Sequence, residues 1–158
     1  MALLLLMRLL HILTGIFWVG TMMFNTAFLF PALKDAGPDG AKVAAGLAKR
    51  NFMVIMPIVA LVTILSGLWL LWRVSGGFQS AFMSTGMGMA ISFGATCAIV
   101  AFIIGVVVVR PAMVQSMALA QSDPQRAQVL RVRGDVAGRV VTALLVLAAT
   151  AMAVARYV

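Results

Sequence analysis

The sequence predicts an all-α integral membrane protein, an antiparallel four-helix bundle formed as one domain over residues 1–158. Three observations predict it. Hydrophobic residues make up 63% of the chain and charged residues 10%, against about half and about a quarter in soluble domains; the mean hydropathy is +1.10. The apolar residues fall in four blocks long enough for a bilayer core of about 30 Å, which takes about 20 residues of helix. Lys and Arg gather on alternate connectors, as an up-down topology requires.

The first helix is expected at about 3–33. It is apolar through to Pro31, without the short apolar region and small-residue cleavage motif of a secretory leader. A polar connector follows, KDAGPDGAKVAAGLAKR (34–50), with Asp39 as a candidate N-cap. The second helix is expected at about 40–74, kinked at Pro57, which has no N–H to give its helix. VSGGFQSAFMSTG (74–86) reads as a short loop, and the third helix is expected at about 86–120. In the next connector Asp123 is a candidate N-cap, with Pro124 at the first helical position. The fourth helix is expected at about 124–157, with Gly134 and Gly138 as places where it could bend or break.

The chain carries 12 Lys and Arg against four Asp and no Glu. Lys34, Lys42, Lys49, Arg50, Arg110, Arg126, Arg131, Arg133 and Arg139 border the connectors at 34–50 and 110–139, while Arg8, Arg73 and Arg156 lie at the opposite level. Nine against three predicts cytoplasmic connectors and both termini outside. Charges placed between apolar blocks point to anionic lipid headgroups rather than to nucleic acid. The one cysteine, Cys97, has no partner for an internal disulfide. No tandem repeat and no catalytic constellation is visible: there is no embedded carboxylate, no Ser–His–acid set and no phosphate loop.

The only histidine, His11, shares a helical stripe with Arg8, Gly15, Trp18, Met22 and Asn25. Polar groups facing lipid are costly, so this stripe is expected to face the bundle. Arg8 is close enough to the end of the helix to snorkel. Gly15 removes bulk one turn from the imidazole, making room for a flat ring or for a neighbouring helix. Neutral imidazole binds metals and haem iron; equally, His11 can hydrogen-bond a hydroxyl or carbonyl and serve packing. Met83 and Met87 lie at its level and offer thioether ligands, either to haem or, with His11, to Cu(I). Met is also a routine gap-filler in cores. Asn25, Arg50 and Asn51 are expected to form a polar cluster at the basic end.

Arg8, His11 and Trp18-Val19-Gly20, followed by Phe24-Asn25 and Pro31, resemble the first helix of a superfamily of small membrane bundles. It includes the membrane domain of copper-resistance D proteins, the membrane part of bacterial urate hydroxylases, and the bacterial membrane protoporphyrinogen oxidases. Leu65-Ser66-Gly67-Leu68-Trp69-Leu70 resembles the element ending their second helix. The resemblance covers about residues 5–75. It implies haem or metal binding at His11. The lysine near the third helix in the protoporphyrinogen-oxidising branch has no counterpart, since no lysine follows Lys49. Three readings result: a redox-associated protein holding one haem b through His11, with Arg8 on a propionate and Gly15 and Trp18 beside the ring; a cofactor-free accessory bundle, as a homo-oligomer or part of a larger membrane complex; and a copper-handling protein using His11, Met83 and Met87.

Overall fold

The computed structural model describes residues 1–158, apart from the Pro38 side chain. It is an all-α bundle with no strand among the described residues. Four helical spans, Ala2–Asp35, Phe52–Val74, Gly86–Ala118 and Pro124–Tyr157, are long and apolar enough to cross a membrane, as an integral membrane protein requires.

The first span is α1 (Ala2–Phe24), a π turn at Asn25–Leu29, and α2 (Phe30–Asp35). Its origin is Pro31, which cannot donate to the carbonyl four residues back. The ladder widens instead, and the Phe30 N–H reaches the Asn25 carbonyl. Two hydroxyls then serve the carbonyl of Met22 just before the wide turn: Thr26 Oγ1 at 2.8 Å and, from the fourth span, Thr142 Oγ1 at 3.2 Å. The third span repeats the device. Here α6 (Gly86–Ile104) passes through a π turn at Gly105–Val109 into α7 (Arg110–Ala118), with Pro111 next to the widened turn.

The expected helix over 40–74 is two helices, α3 (Pro38–Lys49) and α4 (Phe52–Val74). Asn51 breaks them by adopting a left-handed backbone, φ 57° and ψ 23°, which Asn tolerates better than most residues. Gly37, at φ 55°, precedes α3 in the cap position expected of Asp39; the Asp39 carboxylate instead pairs with Lys42 at 2.7 Å. The 74–86 loop contains one short helix, α5 (Ser80–Met83). The fourth span is α8 (Pro124–Val154), closed by a 3-10 turn at Ala155–Tyr157. Its start is the expected one: the Asp123 carboxylate accepts the Arg126 N–H at 3.0 Å. Gly134 and Gly138 neither break nor end it; both are buried, and Gly134 makes room for Ala112 and Met113 of α7.

The bundle is two helical hairpins, α1 on α4 and α6 on α8, which meet more sparsely where α4 faces α6 and α1 faces α8. Lipid offers no hydrophobic drive for helix association, so small residues mediate close approach. A Cβ at Gly94 of α6 would sit 3.0 Å from the Ala148 carbonyl of α8. All four spans meet around Trp18, Met56, Ala60, Ala101, Val141 and Leu145. Leu5, Leu9, Leu13, Ile16 and Phe17 of α1 are exposed and form its lipid-facing side.

Candidate functional site

His11 points at α4. Its Nδ1 lies 2.8 Å from the main-chain carbonyl of Thr63. A carbonyl only accepts, so Nδ1 carries the hydrogen and, in the neutral ring, Nε2 keeps its lone pair. The imidazole is seated in a notch made by Gly67: a Cβ there would lie 2.6 Å from His11 Cε1 and 2.9 Å from Nδ1. One turn further along α1, Thr14 Oγ1 accepts from Thr63 Oγ1 at 2.8 Å and donates to the Leu10 carbonyl at 2.6 Å. The pair forms a polar clasp between the first two spans. Hydrogen bonds of this kind between membrane helices contribute on average about 0.6 kcal/mol each.

The other residues of the expected His11 site are elsewhere or otherwise occupied. Gly15 opens no space for a ring: a Cβ there would meet Thr63 Cγ2 at 3.6 Å, so α4 already fills that face. The glycine that accommodates the imidazole is Gly67, on the other helix. Arg8 is exposed, with no ion pair among the described residues. Trp18 is buried about two turns from His11, at the meeting point of the four spans. Met83 is on α5 and Met87 on α6, which pack on one another, and α6 packs mainly on α8, whereas His11 is held against α4. Among the described residues, no three His, Cys, Asp or Glu side chains converge. The imidazole is wedged between two helices, and it lines neither the cavity at the basic end of the bundle nor the one at the opposite end.

The main concavity lies at the basic end of the bundle. It is a half-open cavity of about 1310 Å³ between the first span, α3, the start of α4, the π turn after α6, α7 and the start of α8. Trp18, Met22, Ala60, Ala101 and Val141 line its deep part, and Lys34, Arg110, Arg131 and Arg139 line its mouth. Asn25, 3% exposed, and Ser116, 1% exposed, are the buried polar residues of its lining. The expected cluster of Asn25 with Arg50 and Asn51 does not form; the latter two are exposed at the break before α4.

Backbone irregularity shapes this cavity. Both π turns line it, through Asn25 and Leu29 on one side and Gly105, Val106 and Val109 on the other. π turns inside regular helices are frequent at functional sites. Arg110, directly after the second π turn, donates from Nε to the Met53 carbonyl at 3.0 Å. That carbonyl is four residues before Pro57, so it is the acceptor that proline leaves without its helical N–H. Arg110 thereby ties the third span to the second at the cavity mouth. The sequence held two signals for this region: Asn25 on the inward stripe, and a proline near the basic end of each of the four spans.

No family model, no curated protein and no solved structure matches the chain.

Proposed function

We propose that this is a non-catalytic membrane protein that binds an apolar or amphiphilic ligand in the cavity at its basic end. In this reading the basic end faces the cytoplasm and both termini lie outside, in keeping with the nine-to-three distribution of Lys and Arg. His11 serves as a structural clasp that holds α1 against α4.

The observation that carries the reading is the cavity itself: about 1310 Å³, larger than the roughly 300–1,000 Å³ of common ligand pockets, and lined by apolar residues with a basic mouth. A ligand with an apolar body and a polar end matches that lining. Native mass spectrometry of protein extracted in mild detergent tests the proposal. The wild type is expected to retain a bound small molecule. Gly105→Phe is expected to lose it, because Gly105 lines the cavity and a Cβ there meets nothing within 4 Å. Bare protein in both samples, after the gentlest extraction that keeps the bundle folded, would count against the proposal.

A second reading, one haem b held through His11, has one observation in its favour. With Nδ1 donating to Thr63, Nε2 has the lone pair that an iron ligand needs, the arrangement in which ligating histidines are usually held. The resemblance of the first helix to haem-associated bundles points the same way. The second ligand would come from another copy of the chain or another subunit. An absorption spectrum of the purified protein decides it: a Soret band lost in His11→Ala supports haem, and a colourless wild type removes it.

A further inference from the structure

We propose that the ligand of the basic-end cavity is an anionic phospholipid, its acyl part against Trp18 and its headgroup phosphate at Lys34, Arg110 and Arg131. This rests on the cavity-binding reading above and adds the chemical class.

Length comes first. The lining runs along the first span from Trp18 to Lys34. Sixteen residues of helix at 1.5 Å each span roughly 24 Å. Half a bilayer core is about 15 Å, so the cavity is deep enough for the chain of one leaflet with its headgroup beyond. The lining changes character along that length, from Trp18, Met22 and Ala101 to a basic mouth. Asn25 lies between the two, roughly 10 Å along the span from Trp18.

Charge then selects the headgroup. Five cations and two anions line the cavity. Arg139 is paired with Asp135 at 2.9 Å, and Lys42 with Asp39 at 2.7 Å. Lys34, Arg110 and Arg131 are left, against Asp35 alone. Arg110 uses only Nε on the Met53 carbonyl, which leaves its two terminal nitrogens for an anion. A guanidinium fork suits phosphate oxygens, and each Lys or Arg near a membrane surface adds attraction for anionic lipid.

The test uses the full chain in detergent with Trp69→Phe and Trp72→Phe, so that Trp18 is the only fluorophore of its kind. The probes are phosphatidylglycerol and phosphatidylcholine with the same brominated acyl chains, which quench tryptophan on contact. The expected result is saturable quenching by both, at about tenfold lower concentration for phosphatidylglycerol. Adding Lys34→Gln and Arg131→Gln, both exposed positions, brings the two lipids to about equal potency. Gly105→Phe removes the saturable component, with circular dichroism confirming an intact bundle. Equal potency on the unmodified mouth would overturn the headgroup assignment while leaving a cavity that binds apolar chains. Displacement by millimolar glycerol phosphate would assign the site to a free anion and overturn the lipid. Quenching that never saturates would overturn the cavity-binding reading itself.

Discussion

Gly67→Ala is the sharpest perturbation of the clasp. The added methyl would stand 2.6 Å from His11 Cε1 and 2.9 Å from Nδ1, closer than real Cβ atoms come. The imidazole must swing out and give up its 2.8 Å bond to the Thr63 carbonyl. Overpacking of this size destabilises by about 1–3 kcal/mol, and the lost interhelical hydrogen bond adds about 0.6 kcal/mol. Glycine to alanine in a helix returns about 1 kcal/mol. The net expectation is a loss of about 0.6–2.6 kcal/mol, read by titration with sodium dodecyl sulfate in mixed micelles. In a His11→Ala background the collision is gone and only the helix term remains, so the same substitution should stabilise by about 1 kcal/mol. The sign therefore reverses, with a coupling energy of about 1.6–3.6 kcal/mol, toward the upper end for residues in contact. Gly15→Ala is the control. Its methyl would make ordinary contact with Thr63 Cγ2 at 3.6 Å and should be neutral or mildly stabilising. Equal effects of Gly67→Ala in the two backgrounds would refute the clasp.

Arg110→Leu leaves the Met53 carbonyl without its 3.0 Å donor and should destabilise by about 1 kcal/mol in the same titration. Pro57→Ala restores the helical N–H to that carbonyl, so most of the loss should disappear in the double variant. Thr142→Val removes the hydroxyl whose one hydrogen lies within reach of Thr26 Oγ1 at 2.7 Å and the Met22 carbonyl at 3.2 Å; a loss between about 0.6 and 1.7 kcal/mol is expected by that readout. Pro31→Ala returns an N–H to the first span, and the π turn should contract to α-helix. Asn25→Cys, labelled by a small soluble maleimide through the cavity mouth, should then react several-fold more slowly than with Pro31 in place. For orientation, a reporter that folds only outside the cytoplasm should be active at the C-terminus and silent when inserted at 34–37.

The four spans were legible because lipid demands long apolar blocks and helical backbone, and both demands are written in composition. The start of α8 was legible for a local reason: Asp123 followed by Pro124 is a cap and a first turn in two residues. The break at Asn51 was not, since Arg50 and Asn51 carry no Gly or Pro and the left-handed turn depends on how α3 leaves the bundle. At the candidate site, the inward stripe of α1 was readable, and it correctly set His11, Trp18 and Asn25 apart from the exposed leucines. What could not be read was the partner of His11. A main-chain carbonyl has no residue type to mark it, and the accommodating glycine is on another helix, so Gly15, nearer in sequence, drew the expectation. The cavity was invisible for a related reason. It arises where two π turns and the sparse meeting of two hairpins hold helices apart, which is a property of pairs of elements and not of any one segment.

A density map of the protein in a lipid nanodisc tests the cavity directly. The expected result is a continuous elongated feature from Trp18 past Asn25 to Arg131, with the two π turns open around it. Side chains of α3 and α7 closed together over a slot with nothing between Trp18 and the mouth would contradict a ligand-binding role and leave a clasped bundle of four helices.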